Sequence, residues 1–474
     1  MDFYATCILG LSLSLLFFVF RKKRFAPNLP PGRKGWPVLG ETLRFMAAGK
    51  SGCPQNFVND RTARHSPDVF RTNLYGEDMT VFCGASGNKF LFSGEGKYVT
   101  SWWPNSIKKI THFPENLGRL SNTDAKKRRS FLLEFLKPEE LQRYIPVMDS
   151  MTRDHLATDW SPNKEVRVFP LSKRYTFALA CSLFMNIRDP EIASKFASSF
   201  ARVTPGLIAV PINIPGTPFN RAMEGGKAMR QELLNIIRQR KMEISEGKGA
   251  SARDLFTRAL LEGDDDGTIL YEMDASSKIL GFLIASHETT STSITAIVNY
   301  LAQYPHIYDR VRQEQMEIAK SKGPTELLNW DDVQKMKYSW DVACESMRLL
   351  PPAPGAYREA TKDFTFASYT IPKGWKTFWT VHSTHKNPKY FPDPEKFDPS
   401  RFEGNGPAPF TFVPFGGGPR MCPGKEYARL EILVFMHNLV TKFKLEKAIP
   451  DEKFIYNPSP VPVEGLRLRL QPHN

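Results

Sequence analysis

The chain has 474 residues, with 64 basic against 50 acidic side chains and a formal net charge of +14. That length can bury a large core as one big domain, and six cysteines scattered without regular spacing argue against a disulfide framework and for a reducing compartment. The basic residues are dispersed and their main cluster follows an apolar run, so nucleic-acid binding gives way to an anionic membrane and an acidic protein partner, and the lack of an Asn-x-Ser/Thr sequon with a non-proline middle residue agrees with a cytosol-facing body.

In chain order, the first feature is the uncharged apolar run Phe3–Phe20, followed by Arg21-Lys22-Lys23-Arg24. The run is just long enough to span a bilayer as a helix. Its basic cluster follows rather than precedes it, unlike that of a cleaved signal peptide. Because positive residues stay cytoplasmic, the expectation is an uncleaved transmembrane anchor at residues 1–24 with a short luminal end. Leu29-Pro30-Pro31-Gly32 predicts a stiff, non-helical hinge at 25–40, ahead of a single body at 41–474. Residues 67–103 read as strands, with Val69–Leu74 and Met79–Phe82 as the apolar pieces and Gly76 and Gly84–Gly87 as turns. From about residue 120 to about residue 350 the chain reads mainly as helices. Apolar residues recur at helical spacing through Phe131–Phe135, Leu156, Tyr175–Phe184 and Ala193–Phe200, and Met229–Arg240 is amphipathic. Pro205–Pro218 interrupts them, either as a buried loop or as a membrane-touching substrate entrance. Glu246–Gly249 and Glu262–Gly267 are polar and expected to be exposed. Beyond Pro351 the pattern is irregular, with strand-like pieces at Phe364–Ile371 and Thr377–Val381. The fold class is therefore mainly α with small β-sheets.

Three segments carry chemistry. A long helix is predicted over Asp274–Gln303, and inside it stands Ala285-Ser286-His287-Glu288-Thr289-Thr290. Such a crowd of hydroxyls competes for backbone partners, so it reads either as a polar seam between helices or as an opening that admits water and a ligand. His287-Glu288 lacks the second histidine of a zinc protease, since position 291 is serine. Glu345-Ser346-Met347-Arg348 places opposite charges on one helix face, which ordinarily means a surface ion pair. Finally, Phe415-Gly416-Gly417-Gly418-Pro419-Arg420-Met421-Cys422-Pro423-Gly424 sets a cysteine ahead of the helix-like run Glu426–Val440. The glycines let backbone approach a flat ligand, the prolines stiffen the turn, and Arg420 with the following helix N-terminus favours a thiolate. A nucleotide loop fails on glycine spacing, and a zinc site fails for want of a second nearby cysteine. A thiolate in such a loop is what a haem iron with one sulfur ligand requires.

That loop matches Phe-x-x-Gly-x-Arg-x-Cys-x-Gly at every fixed position and so resembles the haem-binding signature of the cytochrome P450 superfamily. The helix hexad resembles the same family's oxygen-activation motif, with Ser286 in place of the usual glycine. The resemblance implies the P450 fold around haem b, with Cys422 as the iron's axial ligand, Phe415 beside the haem, and Glu288 and Thr289 as the catalytic acid and hydroxyl. It implies that Glu345 and Arg348 clamp structurally with Arg401 of Phe397–Phe402. It also implies that Arg420, Arg358 and Arg129 hold the propionates, although Ala125 stands where the family has Trp or His. Thr411–Phe415, Pro423–Leu433, Pro215–Asn220 and Phe402-Glu403-Gly404 are similar to the plant 716 family of triterpenoid oxidases. A monooxygenase acting on a large apolar terpenoid follows, most of all a pentacyclic triterpene at C-28 or a ring carbon. Taxane or sterol and brassinosteroid hydroxylation is the alternative within that clan; a peroxide isomerase or haem sensor is the remoter one. No flavin or dinucleotide fingerprint is present, so the family implies electrons from NADPH through a membrane-bound P450 reductase, with Lys425 and Arg429 as candidate docking contacts. The implied location is the endoplasmic reticulum membrane with a cytosolic body. The family's substrate-contact regions map to Trp102–Phe113, Val203–Ile214, Leu280–Ser286 and Pro352–Tyr357.

Overall fold

Two short helices, α1 (Thr42–Lys50) and α2 (Gln55–Arg64), precede a hairpin of β1 (Val69–Leu74) and β2 (Glu77–Phe82). The hairpin turns at Tyr75-Gly76, where φ values of 58° and 79° give the two-residue turn whose twist matches paired strands. The structure is a computed structural model and describes residues 28–36, 39–111, 132–133, 135–161, 163–207, 209–246, 257 and 269–473. The expected anchor, Ala125, Arg129 and, apart from Glu246, the two polar stretches near 250 and 265 lie outside the described residues. Among the described residues no helix is long and apolar enough to cross a membrane. The stiff segment Leu29–Gly32 is docked on β1: the Arg71 N–H donates to the Pro31 carbonyl at 2.8 Å, and a Cβ on Gly32 would stand 2.0 Å from the Arg71 carbonyl oxygen.

Gly84–Gly87, expected as turns, instead begins helix α3 (Gly84–Ser93). Only Gly84 has positive φ; Gly87 is there because a Cβ would sit 3.1 Å from the Phe82 backbone. Then follow β3 (Val99–Ser101), α4 (Asn105–Thr111), α5 (Pro138–His155), β4 (Glu165–Arg167), α6 (Val168–Met185), α7 (Pro190–Val203), α8 (Pro218–Ser245), α9 (Ile269–Gln303), α10 (Pro305–Lys320), α11 (Trp330–Lys335) and α12 (Lys337–Leu349). Helices α5, α7, α8 and α10 each open on proline, whose missing N–H costs nothing in a first turn. Thr217 caps α8 by accepting the Asn220 N–H, and Asn329 with Asp332 forms a reciprocal capping box on α11. Between α7 and α8 the chain stands at the surface, with Ile212 and Ile214 49% and 60% exposed. The buried-loop alternative for Pro205–Pro218 therefore fails over residues 211–216, while Gly206 and Ala209 are buried.

The C-terminal part supplies β5 (Gly355–Ala360), β6 (Phe364–Phe366), β7 (Tyr369–Ile371), β8 (Lys376–Thr380), α13 (Lys425–Lys442), β9 (Phe443–Lys447), β10 (Phe454–Tyr456), β11 (Pro460–Pro462) and β12 (Arg467–Pro472). Phe364–Ile371 is a hairpin rather than one strand, because Ala367 and Ser368 both take positive φ. The main sheet runs β1-β2-β8-β5-β3, with β2 and β8 parallel. The larger core is helical: α9, about 50 Å long, packs against α6, also contacts α8, α12 and α13, and contributes Leu280, Leu283, Ile294 and Ile297 to that core.

Glu345 and Arg348 on α12 are both fully buried. Arg348 Nε and Nη2 donate to the two Glu345 oxygens at 2.6 and 2.8 Å. Its other N–H groups donate to the carbonyls of His385, Pro394 and Lys396. Arg401 is the looser third member, 3.5 Å from the Glu345 carboxylate and donating to the Asp393 carbonyl. Arg348→Ala therefore strands a buried carboxylate and three carbonyls, and is expected to lower urea-unfolding stability by about 3–5 kcal/mol. Arg401→Ala is expected to cost about 1 kcal/mol. Equal losses in the two variants would contradict this ranking.

Candidate active site

The cysteine loop is shaped by what lies beneath it. Gly416 and Gly418 have φ of 70° and 65°, open to glycine and strained for most other residues. A Cβ on Gly417 would come 2.4 Å from the Phe92 ring, and one on Gly418 would come 2.4 Å from the Phe92 carbonyl oxygen. The loop thus lies directly on the end of α3. The Cys422 N–H donates to the Phe415 carbonyl at 2.8 Å, closing the loop, and α13 starts at Lys425 with Gly424 as its cap. Cys422 and Phe415 are half-buried, and none of the described cysteines is in a disulfide.

Helix α9 is continuous through the hexad, so the expected opening is not a break. Ser286 Oγ donates to the Phe282 carbonyl at 2.9 Å and Thr289 Oγ1 to the Ala285 carbonyl at 2.7 Å. Such bonds satisfy hydroxyls inside a helix and bend it slightly. The two expected catalytic side chains leave this helix on different faces. Thr289 shares a partly open face with Ala285, which is exposed although it sits in the middle of a core helix. Glu288 is turned about 100° from Thr289 around the helix and is buried, and its Oε1 accepts from Lys173 Nζ at 2.8 Å and from Thr204 Oγ1 at 2.9 Å. It ends a cleft of about 1150 Å³ between α5, α6 and α7, whose outer walls include Asp154, Arg174 and Arg188. Lys173 and Thr204 carried no sequence signal, because their relation to Glu288 exists only after α6 and α7 pack on α9.

Arg358 and Arg420 come together on a residue that the sequence did not single out. Glu95 Oε2 accepts from Arg358 Nε at 2.7 Å, and Glu95 Oε1 accepts from Arg420 Nε at 3.3 Å. The substrate-contact regions divide. Trp102 and Tyr357 pack edge-on in the sheet core, with the Tyr357 ring stacked on Phe378 at 4.7 Å. Phe282, Ile284 and Ala285 of α9 and Ala353–Ala356 are only partly covered. Residues 112–113 lie outside the described residues.

These residues fit a haem. Nothing lies within 4 Å of a Cβ placed on Gly281, and Ala285 is likewise uncovered, so α9 presents a bare strip of backbone and small side chains. The half-buried sulfur sits in a glycine loop, and the paired arginines keep Nη groups without hydrogen bonds among the described residues. Thiolate, flat clearance and cations are the three things a haem with one sulfur ligand and two propionates needs.

The family model described as "Cytochrome P450" matches residues 30–464. A "Beta-amyrin 28-monooxygenase" of Solanum lycopersicum is 57% identical over 99% of this chain and 98% of its own length. A protein of the same description from Vitis vinifera is 54% identical over 98% of this chain and 97% of its own. A "Beta-amyrin 6-beta-monooxygenase" of Solanum lycopersicum is 55% identical, covering 96% of each. Among solved structures, the retinoic acid bound cyanobacterial CYP120A1 superposes with a TM-score of 0.84 at 33% identity, covering 94% of this chain and 100% of that one.

His287, beside Glu288, is buried between the Phe177 and Phe200 rings with Nδ1 2.8 Å from Thr176 Oγ1. Burial pushes its pKa down from 6.5 to about 4, so it is neutral at physiological pH. Because the unfolded chain binds this proton more tightly, stability falls as pH drops through that window. The His287 share of the loss between pH 7 and 5 is about 2 kcal/mol. Urea midpoints across this range should fall less steeply in His287→Gln; an unchanged slope would remove His287 from the account.

Proposed function

The chain belongs to the cytochrome P450 family, and on that premise we propose that it is a membrane-bound monooxygenase oxidising a β-amyrin-type pentacyclic triterpene at C-28. The observations that carry the reaction type are the half-buried cysteine in its glycine loop ahead of α13 and the bare strip of Gly281, Ala285 and Thr289 on α9, a helix in contact with α13. The substrate class rests on relatives more than half identical along nearly the whole chain. Attack at a ring carbon is the second reading, favoured by the similarly close 6-beta-monooxygenase relative.

Cys422, Phe415, Arg420, Arg358 and Arg129 are the residues that would hold a haem, which would supply activation of dioxygen. The chain's own part is to hold substrate and move protons. Thr289 donates its hydroxyl proton to the Ala285 carbonyl, which leaves its lone pairs free to accept from water on the open face. Glu288 opens to the cleft on the other face and can exchange protons with water there, while Lys173 and Thr204 keep its carboxylate from turning freely. Phe282, Ile284 and Ala285 give the open face an apolar wall that suits a polycyclic hydrocarbon.

An anchor at residues 1–24, a linker at 25–40 and a catalytic body at 41–474 place that body on the cytosolic face of the endoplasmic reticulum. The exposed Ile212 and Ile214 support membrane contact between α7 and α8. Electrons come from NADPH through a P450 reductase. Of the two candidate docking cations, Lys425 is exposed, whereas Arg429 is held by Glu426 at 2.7 Å and only 14% exposed. Docking therefore rests on Lys425.

Microsomes carrying this chain and a reductase, fed β-amyrin and related triterpenes, should yield the C-28 alcohol, aldehyde or acid by mass spectrometry and NMR. Products oxidised only on a ring carbon would favour the second reading, and no oxidised triterpene at all would overturn the substrate class. Cys422→Ala should lose the red-shifted band of the reduced CO complex. Thr289→Ala should keep that band while NADPH consumption outruns product; retained coupling would remove Thr289 from proton delivery.

A further inference from the structure

Glu95 lies in the turn between α3 and β3, and its side chain is 7% exposed. Its two carboxylate oxygens are divided between Arg358 of β5 and Arg420 of the cysteine loop. Each arginine gives Glu95 its Nε edge. Arg358 Nη1 then donates to the Tyr357 carbonyl at 2.8 Å. Arg358 Nη2 and both Nη groups of Arg420 have no hydrogen bond among the described residues, so the two guanidinium tips are left for something else. Two cations and one anion leave a net positive charge, with side-chain exposures of only 8%, 7% and 22%. Partly buried excess charge of this kind is costly without a counter-anion.

The backbone fixes the arrangement from three directions. Ser101 of β3 pairs with Arg358 of β5. Gly418, two residues before Arg420, packs on the Phe92 carbonyl, and Phe92 is three residues before Glu95. Glu95 is thus the joint where sheet, α3 and cysteine loop meet.

We propose that Glu95 is a positioning residue that grips two arginines by their Nε edges and aims their tips at the anionic edge of the haem, so that haem retention depends on a carboxylate that does not touch the haem. The inference rests on the reading of Arg358 and Arg420 as propionate partners. It predicts that the holoprotein with Glu95→Gln releases haem to an apoglobin acceptor about tenfold faster than wild type, as expected for partners that orient ligating groups. Glu95→Asp should restore most of the retention. The ferric/ferrous midpoint should become more positive in Glu95→Gln, since one negative charge is lost beside the haem; a purely structural weakening would not predict that direction. Arg358→Ala and Arg420→Ala should each release haem faster, and adding Glu95→Gln to the Arg358→Ala, Arg420→Ala double variant should add little. Fast release in the arginine variants with wild-type release and midpoint in Glu95→Gln would overturn the role of Glu95 alone. Wild-type release in the arginine variants would instead overturn the propionate reading beneath it.

Discussion

Arg348 is the side chain on which the cysteine side of the molecule depends. From residue 381 to 424 the chain has almost no regular structure, so its carbonyls lack the donors that a helix or sheet would supply. Arg348 supplies them from α12, holding the carbonyls of His385, Pro394 and Lys396 while Glu345 balances its charge. The constraint passes on through His385, whose Nε2 accepts the Val413 N–H at 3.0 Å, and the Val413 carbonyl in turn takes the Gly416 N–H. That chain works only with a neutral imidazole, and burial beside Arg348 and His382 keeps His385 well below its usual pKa. Three hydrogen bonds therefore link a buried guanidinium to the loop that presents Cys422.

Helix α9 solves a different problem. A row of hydroxyls in a buried helix needs partners, and Ser286, Thr289, Ser293 and Thr295 each find one three or four residues back on their own helix. The helix stays unbroken while carrying polar groups past an open space, and Ser286 fits because its hydroxyl folds onto the Phe282 carbonyl rather than into that space.

What the sequence made legible was local. The cysteine loop, the Glu345–Arg348 spacing and the long helix are each contained in a short run of residues whose types restrict one another. Gly84–Gly87 misled because glycine marks both turns and close approaches, and here a helix start presses on Phe82. The strand Gly355–Ala360 is legible through the family resemblance and not through periodicity, because its alternation is weak and its pairing with β3 and β8 spans distant segments. Glu95 and Lys173 were invisible for a plainer reason: their partners Arg358 and Glu288 lie 263 and 115 residues away. Nothing in a glutamate after Gly94 or a lysine in an apolar helix announces such a meeting.

The separation of Glu288 from Thr289 across α9 has a consequence for traffic. A large apolar guest on the open side displaces most of the water there. The Glu288 carboxylate lines the cleft between α5, α6 and α7, a second opening separate from that side. A helix arranged in this way can turn one face to a bulky apolar guest while a buried carboxylate keeps its own route to water.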